Sequence, residues 1–159
     1  MKVSVLMVCT GNICRSPMAE GLLRHLLPEF MKPLVAVRSA GTDGLHGNPA
    51  EPFAVRAAAA YGADISAHRA RILDATMVRS ADLVLAMEDY HLSRIKRLLF
   101  FGCAYARLLG GFSPRPANPE IEDPYGLSLP AYEACAAEIH ACMPGLIDHI
   151  RQHAALSAS

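Results

Sequence analysis

Apolar and polar positions fall into blocks whose periods alternate between two and about 3.6 along the chain. Val3-Ser4-Val5-Leu6-Met7-Val8 is a short, β-branched run of the kind that fills the centre of a parallel sheet. Pro17 then sits in the first turn of a helix predicted from Met18 to about Leu27, stopping near Pro28. Leu34-Val35-Ala36-Val37 reads as a second strand, ended by Ser39-Ala40-Gly41-Thr42. Glu51 to Tyr61 is an Ala-rich helix closed by Gly62, and Leu73 to about Ser80 a short one. Asp82-Leu83-Val84-Leu85-Ala86-Met87 is a third strand, and Glu88 to Leu99 a helix with acids at its start and Arg94, Lys96 and Arg97 near its end, as the dipole prefers. Ala104 to Leu109 is a weaker fourth strand, and a Pro/Gly-rich loop spans Gly110 to about Leu129. The last helix carries Tyr132, Cys135, Ile139, Cys142, Leu146 and Ile150 on one face, with a kink expected at Pro144.

Strands separated by helices imply right-handed βαβ crossovers, hence an α/β fold: an open parallel sheet covered by helices on both faces. The 159 residues match one domain, 1–159, without repeats or linkers. In such sheets ligands bind beyond the carboxyl ends of the strands, where strand order reverses. Three segments should converge there: Cys9 to Ser16, Ser39 to Thr42, and the loop around Asp123. Charge narrows the partners. Twelve Arg and three Lys balance fifteen acids, with no basic run or tail, which points away from nucleic acid and anionic membranes. No apolar stretch is long enough to span a bilayer, and Thr10-Gly11-Asn12 ends the first run too early for a signal peptide. Five cysteines (Cys9, Cys14, Cys103, Cys135, Cys142) in no framework spacing fit reduced thiols in the cytoplasm. Cys135 and Cys142 read as core side chains.

Candidate chemistry begins where the first strand ends. A Cys and an Arg with five residues between them are a weak signal alone, but Cys9-Thr10-Gly11-Asn12-Ile13-Cys14-Arg15-Ser16-Pro17 lies between a buried strand and a helix. There, successive backbone N–H groups can surround an anion. The helix N-terminus and Arg15 both favour a thiolate at Cys9, and the Arg15 fork matches two oxygens of a phosphoryl group. A thiolate inside an anion cradle is a nucleophile aimed at phosphorus. Departure of a phenolate then needs a proton, which Asp123, stiffened by Pro124, can supply from its loop ahead of Glu120 and Glu122. Ser16 could cap the helix or steady the Cys9 thiolate, His68 could be a satisfied surface histidine, and Cys14 could pack under the loop or capture an oxidised Cys9. The scattered histidines and Cys9/Cys14 lack zinc-site spacing, so no zinc site is expected.

From Val8 to Glu20, and again at Asp123-Pro124-Tyr125, the sequence resembles the low-molecular-weight protein tyrosine phosphatases. Ser39-Ala40-Gly41-Thr42 and Ser66-Ala67-His68-Arg69-Ala70-Arg71 are similar to that family's intermediate motifs, so the likeness covers nearly the whole chain. It implies a four-stranded parallel sheet with flanking helices, a phosphate loop after the first strand (Thr10, Gly11, Asn12, Ile13, Cys14, Ser16), and no cofactor. By the same resemblance Cys9 is the nucleophile, Arg15 the clamp and Asp123 the acid, with Asn12, Ser16, Ser39 and His68 holding the loop in shape. Leu45 stands where many members have an aromatic cleft wall, opposite Tyr125. Leu45, Tyr125-Gly126 and Phe112-Ser113-Pro114 look like the bacterial branch, often paired with tyrosine autokinases of exopolysaccharide export. Two other classes use the same loop. A thiol-dependent arsenate reductase needs relay cysteines, which the segment 72–90 lacks, and a binding-only module has no use for nucleophile, clamp and acid together.

Overall fold

The computed structural model describes residues 2–99, 105–115 and 118–158. Four parallel strands, β1 (Val3–Cys9), β2 (Val35–Gly41), β3 (Leu83–Ala86) and β4 (Tyr105–Leu108), lie in the order β2-β1-β3-β4. Five helices connect and cover them: α1 (Arg15–Leu26), α2 (Pro52–Ala59), α3 (Ala75–Ser80), α4 (Asp89–Leu98) and α5 (Leu129–Ala158). The four-stranded open parallel sheet expected from the sequence is therefore present. The fourth strand stops at Leu108, and the loop after it opens with a 3-10 turn over Leu109–Phe112. Cys103 and the predicted start of that strand lie outside the described residues.

β1 is buried on both faces because its apolar residues serve two cores by the period-two rule. Val3, Val5, Met7 and Cys9 face a cluster with Met18, Leu22 and Leu23 of α1 and Tyr132, Ile139 and Leu146 of α5. Leu6 and Val8 face the opposite cluster, with Val78 of α3 and Ile95 of α4. The six residues predicted to face inward from the last helix are all buried. α5 continues through Pro144 as one element, at the cost of one intrahelical hydrogen bond.

Strand order reverses at β1, so the chain leaves its carboxyl end between the β2 and β3 sides of the sheet. Register places Cys9 beside Gly41 and Val8 beside Ala86. Gly41 is required here, since a Cβ would strike the Thr10 carbonyl oxygen and come within 2.9 Å of the Asn12 nitrogen. Without a side chain, the end of β2 lies directly against the loop that leaves β1.

Candidate active site

Residues 9–15 form a loop whose peptide planes are oriented one by one. The six carbonyls from Cys9 to Cys14 all accept hydrogen bonds from the surrounding protein. Their donors are the N–H groups of Thr42 (2.9 Å), Asp43 (2.9 Å) and Leu45 (3.1 Å), His68 Nε2 (2.7 Å), and the N–H groups of Glu51 (2.9 Å) and Met18 (3.2 Å). The N–H on each of those planes points the other way, and from Gly11 to Arg15 none finds a partner among the described residues. α1 starts at Arg15 with Cys14 as its N-cap and no side-chain cap, so its first turn adds donors to the same hollow. The result is a concave nest of backbone donors.

Asn12 holds the nest in shape. It has φ +59°, a left-handed conformation that Asn tolerates better than most residues. Its amide nitrogen donates to Ser16 Oγ (2.7 Å) and Ser39 Oγ (2.9 Å), and its Oδ1 accepts from the Arg71 N–H (2.9 Å). Ser16 Oγ therefore has its own proton left for Cys9 Sγ, 2.9 Å away. Ser16 sits inside α1 and points at the sulfur, so the reading of it as a helix cap does not hold. Ser39 accepts from the Asn12 amide and His68 bonds the Asn12 carbonyl, so both touch this residue.

Arg15 is almost wholly buried, at 1% exposure. One terminal nitrogen, Nη1, donates to Glu88 Oε2 (2.9 Å) and to the Ile121 carbonyl (2.8 Å). Nη2 lies 3.4 Å from both Thr10 Oγ1 and Asp123 Oδ2. Its Nε is the single buried side-chain N or O among the described residues without a partner. Burial works against the guanidinium charge, but the Glu88 hydrogen bond and the facing Cys9 and Asp123 outweigh it and raise its pKa. With Nε unpaired and Nη2 in long contacts only, this edge of the guanidinium has the geometry to pair with two oxygens of a tetrahedral anion.

Above this floor a cleft of about 190 Å³ is lined by Cys9, Thr10, Gly11, Ile13, Cys14, Arg15, Asp43, Leu45, Asp123 and Tyr125. Leu45 and Tyr125 thus both reach the cleft, each more than two-fifths exposed. Asp123 accepts from the Tyr125 N–H through Oδ1 (3.1 Å), which leaves Oδ2 toward Arg15.

Residues 4–156 match the family described as Low molecular weight phosphotyrosine protein phosphatase. The chain belongs to that family. It is a protein-tyrosine phosphatase, 42% identical over 130 residues to the low molecular weight protein-tyrosine-phosphatase Etp of Escherichia coli K12, covering 82% of each chain. It is 38% identical to the probable low molecular weight protein-tyrosine-phosphatase EpsP of Ralstonia solanacearum, covering 93% of this chain and 96% of that one. The tyrosine phosphatase Wzb of E. coli K30, solved in complex with sulphate, superposes with a TM-score of 0.83 at 31% identity, over 94% of this chain and 99% of that one.

The phosphatase also uses residues that the sequence reading placed elsewhere. Glu88 read as an acid favouring a helix start, yet it anchors Arg15 across 73 positions of sequence. His91, one of seven histidines, is fully buried and bonds Thr10 Oγ1 (2.9 Å). Tyr90 donates to Asp43 (2.9 Å) and bonds Thr42 Oγ1 (2.8 Å), while Arg94 donates to the Thr42 carbonyl (3.0 Å), tying α4 to the β2 exit. The one sequence signal for these residues is their cluster just past the third strand, at the edge where ligands bind. Cys14 packs against Tyr132 Oη (3.5 Å), and burial pushes its thiol up to about 12.

Proposed function

We propose that Cys9 is the nucleophile of this phosphatase, Arg15 its phosphate clamp and Asp123 its general acid and base. The observation that carries this reading is the nest itself. Six carbonyls are tied outward, five N–H groups face inward, and the buried Arg15 keeps an unpaired donor, all around the one sulfur that Ser16 hydrogen-bonds. Such an array is complementary to a phosphoryl group gaining charge in an in-line transition state. The Cys9 thiolate attacks phosphorus, so a P–S bond forms as the P–O bond to the tyrosine breaks, and Asp123 delivers its proton to the departing phenolate oxygen. The same carboxylate then takes a proton from water, which attacks phosphorus, breaks the P–S bond and releases phosphate and thiolate. That the Wzb of E. coli K30 was solved in complex with sulphate supports a tetrahedral anion as a ligand of this protein as well.

The physiological substrate in this reading is the phosphotyrosine-bearing tail of a bacterial tyrosine autokinase in exopolysaccharide export, met in the cytoplasm. The bacterial relatives and the Leu45 wall support it: an open, non-aromatic wall suits a flexible tail. No helix among the described residues is long and apolar enough to cross a membrane. Phosphatase assays with para-nitrophenyl phosphate and with that tail decide the matter. Cys9→Ser should abolish turnover while retaining phosphate binding, and Asp123→Ala should lower kcat by about 10²–10⁴. Near-normal turnover by either variant overturns the residue assignment, and an undiminished phosphotyrosine signal on the tail overturns the substrate.

A further inference from the structure

We infer that the Thr10 hydroxyl is a further hydrogen-bond donor to the substrate phosphoryl group, and that the buried His91 positions it; the inference rests on the site reading above. The N–H of Glu88 donates to His91 Nδ1 at 3.0 Å, so Nδ1 carries no proton. His91 is fully buried beside Arg15, and both burial and that charge keep its ring neutral by lowering its pKa to about 4. The ring proton is therefore on Nε2, which donates to Thr10 Oγ1 at 2.9 Å. Arg15 Nη2 approaches the same oxygen from 3.4 Å, a long contact. With His91 and Arg15 both donating to it, Oγ1 has neither protein partner available as an acceptor for its own hydrogen, and no other acceptor lies within reach among the described residues.

That hydrogen is left for a ligand in the cleft. Thr10 lines the cleft with Cys9, Arg15 and Asp123. Thr10 Oγ1 and Asp123 Oδ2 flank one nitrogen of the clamp, each 3.4 Å from it. An anion seated on the nest and the Arg15 fork meets the hydroxyl as a third kind of donor, distinct from amide and guanidinium, with a fixed direction. The direction comes from His91, which rests on the α4 N-terminus and so connects β3–α4 to the phosphoryl group without touching it. Thr10 is thus a substrate-contacting residue and His91 a positioning residue.

The test is a kinetic cycle on the full chain with Thr10→Val, Thr10→Ser, His91→Gln, and Thr10→Val combined with His91→Gln, with orthovanadate inhibition measured beside turnover. Removing a hydrogen bond to a charged phosphoryl group should lower kcat/KM of Thr10→Val by roughly 10- to 100-fold. The loss should fall mostly on kcat, and vanadate inhibition should weaken by a similar factor. Thr10→Ser should recover most of it. His91→Gln should lower kcat in the wild-type background but add nothing once Thr10 is Val, an outcome that a merely structural role for His91 would not produce. Retained kcat and vanadate inhibition in Thr10→Val overturn the inference. So does an additive double variant, or loss shared equally by Thr10→Ser. Cys9→Ser run alongside separates the two failures. If it is inactive while Thr10→Val is normal, only the Thr10 inference falls; if it turns over substrate, the site reading falls first.

Discussion

At Asn12 the backbone takes φ +59° and the side chain makes three hydrogen bonds, to Ser16, Ser39 and the Arg71 N–H. An alanine there would face the left-handed backbone without any of them, at a strain cost of about 1–2 kcal/mol before the lost hydrogen bonds are counted. Asn12→Ala should therefore lower both the urea midpoint and kcat, the latter by at least 10-fold, because Ser16 loses the bond that directs its proton to Cys9. An unchanged kcat would separate the loop's shape from Asn12. Cys14 makes the opposite kind of prediction. Its thiol, pushed up to about 12 by burial, stays protonated at neutral pH and packs against Tyr132. Limited iodoacetamide treatment at pH 7 followed by mass spectrometry should label Cys9 well before Cys14. Both residues were legible as members of one loop. Their division of labour was not, because it depends on which way each peptide plane is turned.

The end of β2 and the start of α4 are the elements that brace the loop. Gly41 lets β2 press against Thr10 and Asn12, and a methyl group would push the two apart. Gly41→Ala should cost about 1–3 kcal/mol of stability by overpacking and lower activity with it, measurable by denaturation and para-nitrophenyl phosphate turnover. From α4, the buried His91 makes stability depend on pH. Its pKa is about 4 in the folded protein, lowered by burial and by Arg15, against an ordinary 6.5 when unfolded. Between those values the unfolded chain binds the extra proton, so stability is lost as pH falls from 6.5 toward 4, by up to about 3 kcal/mol. Urea midpoints at pH 7 and 4.5 should fall further for the wild type than for His91→Gln. Equal slopes would show that His91 is not neutral in the fold. The helix itself was readable from its charge pattern. That its first acid clamps an arginine of another element was not, since dipole preference explains a Glu at that position equally well.

On the scale of the whole molecule, three segments far apart in sequence meet at one edge of the sheet. They are the loop after β1, the turn after β2 with Leu45, and the segment before α5 with Asp123 and Tyr125. The cleft they leave is walled by Tyr125 on the one hand and by the aliphatic Leu45 on the other. Leu45→Trp should add about 0.5–1.5 kcal/mol of ring stacking and lower KM for phosphotyrosine peptides by roughly 2- to 10-fold, with little change for a phosphoserine peptide. An unchanged KM for both would remove Leu45 from substrate contact.

The alternation of short apolar runs with helical periods was enough, by itself, to settle a parallel α/β sheet. It also placed the Cys9–Ser16 loop at the strand ends, because period and crossover handedness are local rules that hold before the chain is folded. The inward face of α5, from Tyr132 to Ile150, followed from the same periodicity. What only the tertiary structure decided is the direction of individual donors: carbonyls outward and N–H groups inward around Cys9, the tautomer of His91, and the attachment of Glu88 to Arg15. Most of those directions are set by partners 27 to 106 residues away, from Ser39 on Asn12 to the Ile121 carbonyl on Arg15, although the Glu88 N–H that fixes the His91 tautomer is only three positions distant. A hydrogen bond records where two groups meet in space, and no spacing along the chain encodes that meeting.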